Sequence, residues 1–336
     1  MVSVYSAAHF LVDFACAFLM FRSVAASPEW YFCVLLYNFF AFAAQMPLGI
    51  AADKLNRNYL FALSGCLLVG AAYAAPSIPA AAAATAGLGN GMFHIGGGID
   101  VLNICDKKSA ALGVFVSPGA FGIYFGTIAG KGDILPAALV LAALLAAAAL
   151  IAGVYKAQRG TYPKNAELSF GGGASRKIFT AVICLFIVVC LRSYAGLTLN
   201  FPWKGIGGWG TVLVCAAVFG KTLGGFAADR FGALKTAAFS LGCAALLSVF
   251  PSIPLAGVAS VLLFNMTMPV TLMAMAKIFP GAKGFSFGLL TFALFCGFVP
   301  VHLGAKFNAP RVFFAVIVIS LILLCISLRK ADVWTG

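Results

Sequence analysis

His9 and Asp13 stand four residues apart in SAAHFLVDFACAFLM, residues 6–20. On a helix that spacing is one turn, so the imidazole and the carboxyl share a face. A neighbouring base and acid can pass a proton between them. A carboxyl that gains and loses a proton with its surroundings can couple proton movement to other work. Asn90 and His94 repeat the four-residue spacing in GLGNGMFHIGGG, residues 87–98. Arg192 lies in LRSYAG; a guanidinium keeps its charge, so it needs an anion or several acceptors. Tyr194 and Asn265 could add hydrogen bonds to a bound solute.

The elements that must position these groups are apolar. The chain has 336 residues, 62% hydrophobic and 9% charged, whereas a soluble domain carries about 25% charged residues. So few charges cannot cover a water-facing surface, and the surrounding medium must be mostly lipid. Splitting the chain at its charge clusters and Pro/Gly turns predicts twelve spans. They run near 4–24, 30–52, 58–75, 78–99, 109–130, 135–156, 177–197, 206–228, 234–251, 254–276, 284–305 and 310–328. The fold class is therefore an all-α membrane protein. Asp13 falls about 14 Å down the first span at 1.5 Å per residue, near the midplane where transporter sites sit. An ionised group there costs at least about 2.5–3.5 kcal/mol, so Asp13, His9, His94 and Arg192 are expected to face a water-filled cavity. Lys221, close to a charged loop, is expected to reach the headgroups.

The net charge of +13 falls in short clusters between apolar runs, which fits the positive-inside rule and argues against nucleic acid. The Lys and Arg bias places both termini in the cytoplasm of a multi-pass protein of the cell inner, or plasma, membrane. The longest polar stretch, AQRGTYPKNAELSFGGGASR (157–176), reads as a flexible cytoplasmic linker. It separates a six-helix bundle at 1–156 from a second at 177–336. The halves are related: Asp53 and Asp229 are 176 positions apart, and Asn90 and Asn265, Gly113 and Gly288, and Lys131 and Lys306 are each 175 apart. A near-constant offset across several spans marks an internal repeat, and parallel halves of this kind build transporters.

No Gly-rich phosphate loop with Lys and Ser/Thr is present, and the glycines around Asn90 follow no strand, so nucleotide coupling is unsupported. The ten cysteines lie almost wholly in apolar runs and form no CxxC, as expected of small buried hydrophobes. The linear sequence shows no metal-ligand cluster. No cofactor and no enzymatic activity are expected, and the protein is expected to be a monomer.

GIAADKLNRN (49–58) resembles the loop motif between spans two and three of the major facilitator superfamily, with Gly49, Asp53, Lys54 and Arg57 in its positions. A degenerate copy, Gly225, Asp229 and Arg230, stands between spans eight and nine. Asn56 occupies a place where the family often has Gly. GVFVSPGAFG (113–122) is looser; it resembles the fifth-span motif associated with antiporters. AHFLVD (8–13) and GLGNGMFHIGGG are locally similar to the fosmidomycin-resistance type of drug exporter. These resemblances imply twelve helices in two pseudo-symmetric six-helix bundles, with the loop motifs as a cytoplasmic gate. They imply a secondary active transporter working by alternating access, with Asp13, His9 and His94 carrying protons. Arg192, Asn90, Tyr194 and Asn265 would hold a small organic anion or antibiotic-like solute, with export favoured. Proton-coupled uptake of an anionic metabolite, and a non-transporting receptor or lipid scramblase on the same fold, are the alternatives.

Overall fold

The structure is a computed structural model that describes residues 1–75, 77–105, 107–170, 176–307 and 309–332. Among the described residues the chain forms twelve helices. They are α1 (Val2–Val24), α2 (Trp30–Leu55), α3 (Asn58–Ala72), α4 (Pro79–Ile104), α5 (Ala110–Gly132) and α6 (Ala137–Ala157). The second set is α7 (Arg176–Thr198), α8 (Trp209–Phe231), α9 (Ala233–Ser248), α10 (Pro254–Ile278), α11 (Lys283–His302) and α12 (Pro310–Asp332). Nine are long and apolar enough to cross a membrane, α3 and α9 are shorter apolar helices, and α4 has 26 residues. This is a multi-pass, all-α membrane protein.

Several helices depart from regular α geometry. α2 passes through a π-helical turn at Phe39–Ala43 just before Pro47, which has no N–H to give back. α5 breaks at Ser117, ahead of Pro118. α1 ends in a π-helical turn at Met20–Val24. α2 stops at Asn56, whose φ of 51° is left-handed. Asparagine tolerates that conformation better than other residues with a Cβ, which explains how it can stand where the family motif often has glycine.

The chain divides into two compact units. The first comprises Met1–Ile104, Pro118–Leu168 and Gly281–Phe292. Its α1 and α5 lie backbone against backbone. Gly122, Gly126 and Gly130 face the carbonyls of Phe10, Phe14 and Phe18, and a methyl group at any of them would collide with main chain. Lipid offers no hydrophobic drive for helix pairing, so close contact over small residues supplies dispersion energy instead. Gly65 and Gly96 bring α3 and α4 together in the same way.

The second unit comprises Cys105–Ser117, Ser169–Pro280 and Ala293–Gly336. Gly220 and Gly224 of α8 sit on the backbone of Leu262 and Met266 in α10. Hydroxyls add cross-links: Ser260 Oγ donates to Ala244 O at 2.9 Å and Ser327 Oγ to Ala181 O at 3.0 Å.

The stretch between α6 and α7 is not uniformly loose. Tyr162 and Asn165 are tied to the first unit by side-chain hydrogen bonds, described below. Its glycine triplet lies at 171–173, outside the described residues.

Candidate functional site

His9 and Asp13 point from α1 and meet Asn90 and His94 from α4. His9 and Asp13 are buried, as is Asn90. His9 Nε2 is 3.2 Å from Asp13 Oδ2 and 2.8 Å from His94 Nε2. Asn90 Nδ2 donates to Asp13 Oδ1 at 2.7 Å. His94 Nδ1 lies 2.8 Å from the backbone oxygen of Asn90. A carbonyl only accepts, so this Nδ1 carries hydrogen and, in the neutral ring, His94 Nε2 presents a lone pair. The imidazole rings meet edge to face, with centroids 4.4 Å apart. One proton on His9 Nε2 therefore serves both the His94 nitrogen and the Asp13 oxygen. Gly119 of α5 leaves room at this point, because a Cβ there would strike His9 Nε2 and Asp13 Oδ2. Among the described residues no Lys or Arg forms an ion pair with Asp13, whose ionisable partners are the two histidines.

Arg192 belongs to the second unit. It is buried in α7 and donates from Nη2 to Thr267 Oγ1 at 2.7 Å and from Nη1 to Thr271 Oγ1 at 3.2 Å, both on α10. Those hydroxyls pass their own hydrogens to the carbonyls of Phe264 and Met268. Arg192 Nε has no hydrogen-bond partner among the described residues, and no carboxylate pairs with the guanidinium there. A buried cation held only by neutral acceptors has unspent capacity for an anion. Tyr194, one helical step on, is engaged elsewhere: its hydroxyl donates to Ala305 O at 3.2 Å and accepts from Phe307 N at 2.9 Å. Asn265 is half-buried and donates back along α10 to Val261 O at 2.8 Å. Lys221 Nζ donates to Val116 O at 3.3 Å, beside the break in α5.

The two loop motifs make the same contact twice. Asp53 accepts from the amides of Gly284 and Phe285 at 2.8 and 2.9 Å, at the start of α11. Asp229 accepts from Ser109 and Ala110 at 2.6 and 2.9 Å, at the start of α5. A carboxylate on the first free amides of a helix satisfies orphan donors and the helix dipole together. The glycines of the motifs permit the approach: Gly49 abuts the Gly284 carbonyl, and Gly225 abuts Ser109. Lys54 and Arg57 are exposed, and Arg230 lies 5.5 Å from the centroid of the Phe231 ring.

A third cluster involves an acid that the sequence analysis did not single out. Asp100, near the end of α4, is fully buried. Tyr5 donates to its Oδ2 at 2.6 Å, Tyr162 donates to the same oxygen, and Asn58 Nδ2 donates to Oδ1 at 2.9 Å. Asn165 adds bonds to Asn58, Asn103, Asn56 and the carbonyl of Ala52. Burial, then the Asp100 carboxylate, push the Tyr162 phenol well above its ordinary range, so it stays a donor. The four-residue signals at His9 and Asn90 had no counterpart here, because the partners come from four separate stretches of chain.

No family model matches the chain, and no curated protein matches it. Solved structures do, over almost the whole length. The major facilitator superfamily transporter FucP in its outward conformation is 14% identical, with a TM-score of 0.68, 99% of this chain covered and 98% of that one. A bacterial homologue of the iron transporter ferroportin, outward-facing with soaked iron, is 14% identical at a TM-score of 0.63, with 100% and 99% covered. The human organic anion transporter MFSD10 is 14% identical at 0.62, with 100% and 96% covered. The chain has the major facilitator superfamily fold. That likeness carries the architecture; the narrower similarity to fosmidomycin-resistance exporters stays with the two short segments that suggested it.

Proposed function

We propose that this protein is a secondary active transporter that couples proton movement to the passage of a small organic anion or antibiotic-like solute, with export favoured. One observation carries the reading: within a transporter fold, two histidines and an aspartate converge to hydrogen-bonding distance, an arrangement in which a single proton can be shared among them. Asp13 and His9 take up and release that proton, His94 accepts it, and Asn90 holds the carboxylate in place. Arg192 anchors the anion through its unsatisfied donor. The paired loop aspartates fix the starts of α5 and α11 and serve the gate on the cytoplasmic side. Both termini are assigned to the cytoplasm of the cell inner membrane by the Lys and Arg distribution. FucP, which shares the fold, is described as a fucose:proton symporter, so proton coupling is compatible with this architecture.

The test uses purified protein in proteoliposomes with an imposed pH gradient. Thermal shifts with anionic metabolites and antibiotics first identify a ligand, since a ligand bound to the native state raises apparent stability. Asp13→Asn should then abolish gradient-driven flux of that ligand with its melting temperature preserved. Arg192→Ala should lose the ligand-induced shift. Undiminished flux in D13N would remove the coupling role.

A further inference from the structure

We infer that His9, Asp13 and His94 form a binding site for a divalent transition-metal ion. The sequence conceals this set, because the ligands lie on two helices and the closest approach joins residues 85 positions apart. The inference stands on ligand geometry alone and does not need the transport reading.

Three electron-pair donors face one point: His9 Nε2, His94 Nε2 and a carboxylate oxygen of Asp13, all within 4.8 Å of one another. Two imidazole nitrogens and one carboxylate oxygen suit zinc and the neighbouring first-row divalent ions rather than magnesium or calcium. The second layer of contacts is already arranged as metal sites require. His94 turns Nε2 inward because its Nδ1 hydrogen is held by the Asn90 carbonyl at 2.8 Å. Asp13 is oriented by the Asn90 amide at 2.7 Å. One residue thus positions two of the three ligands.

The spacing fits with small adjustment. Ligand atoms about 2.0–2.1 Å from a tetrahedral zinc are about 3.3 Å apart. The observed separations are 2.8 Å between the two Nε2 atoms, 3.2 Å from His9 Nε2 to Asp13 Oδ2 and 3.9 Å from His94 Nε2 to Asp13 Oδ1, and a set of one atom from each residue lies within 4.8 Å. Rotation of the two rings and of the carboxylate brings one Asp13 oxygen and both Nε2 atoms toward that spacing, and the missing side chain at Gly119 leaves space beside two of the ligands. On binding, the neutral His9 ring changes tautomer, its proton passing from Nε2 to Nδ1, and the freed Nε2 lone pair goes to the metal. With neutral imidazoles and an ionised Asp13 the cluster carries one negative charge, which a divalent cation overcompensates. Three protein ligands leave a fourth position for water or an anion, the pattern of an exchangeable rather than a closed structural site.

The experiment is a cobalt(II) titration of the purified, tag-free protein in detergent at fixed pH. The expected result is saturable one-to-one binding with visible bands of nitrogen and oxygen ligation and no thiolate charge-transfer band. Zinc should displace the cobalt. His94→Gln and Asp13→Asn should abolish the bands, Asn90→Ala should weaken binding about 10–100-fold, and Arg192→Ala should leave it intact. A wild-type protein that takes up no cobalt at this stoichiometry, or a folded His94→Gln protein that keeps the bands, overturns the inference. Binding without pH-driven flux would count against the transport reading only, and flux without binding against the metal site only.

Discussion

The crossed contacts of the loop aspartates lend themselves to a quantitative test. Asp53→Ala removes two hydrogen bonds to a charged acceptor, from Gly284 at 2.8 Å and Phe285 at 2.9 Å. Bonds to charged groups contribute about 1.5–3 kcal/mol each, before the cost of burying the carboxylate is set against them. Loss of an ordinary helix cap costs about 0.5–2 kcal/mol. Asp53 is buried and serves two amides, so the loss should fall at about 2–4 kcal/mol. An unfolding entropy of about 2.1 cal/mol/K per residue gives about 0.7 kcal/mol/K for a chain of this length, so the midpoint should drop by about 3–6 °C. Asp229→Ala makes the same deletion on an exposed carboxylate, and its effect should be about half as large. Asp53→Asn keeps one acceptor oxygen and should fall between wild type and Asp53→Ala. Scanning fluorimetry in detergent would measure all three, with exposed Lys54→Ala as the control. If Asp53→Ala melts no lower than Lys54→Ala, the carboxylate does not hold the start of α11 and the capping argument fails.

Gly119→Ala should lower pH-driven flux at least tenfold with little change in melting, because its Cβ meets His9 and Asp13 rather than main chain; proteoliposome flux and fluorimetry together would check this. Gly126→Leu should prevent assembly of α1 with α5, since any side chain there meets the Phe14 backbone; the readout is aggregation on size-exclusion chromatography. Tyr162→Phe removes one donor to the buried Asp100, and losing about 1.4 kcal/mol should raise the open population of the linker about tenfold, read as faster trypsin cleavage after Arg159 and Lys164.

Much of this architecture was legible because lipid imposes one rule on every span. Apolar length and charge clusters located all twelve helices to within a few residues, down to the short α3 and α9. The bends were less legible: a π-helical turn at Phe39–Ala43 has no periodic signal that distinguishes it from the α-helix around it. His9 with Asp13, and Asn90 with His94, were visible as four-residue pairs, since one helix fixes that geometry. That the pairs meet, and meet through facing Nε2 atoms, depends on how α1 packs on α4, which no local pattern encodes. The loop motifs revealed their position but not their partners, which lie 231 and 120 residues away. The stretch 157–176 reads as loose by its glycines and charges. Tyr162 and Asn165 are nevertheless fastened, because the buried Asp100 and Asn58 require donors and acceptors that the helices alone do not supply.

The first unit is completed by a segment that the ribosome makes well after the rest of it. Gly281–Phe292 packs with residues 1–104 and 118–168, so until it is made Asp53 and the small face at Gly49 await a helix that does not yet exist. A nascent chain that has emerged only through α10 already holds every proton-sharing side chain, yet lacks the segment that covers this edge. Its biogenesis should therefore depend on the insertion machinery shielding an unfinished bundle until the eleventh helix arrives, and truncations before residue 281 should be cleared as unassembled protein rather than persist as a working half.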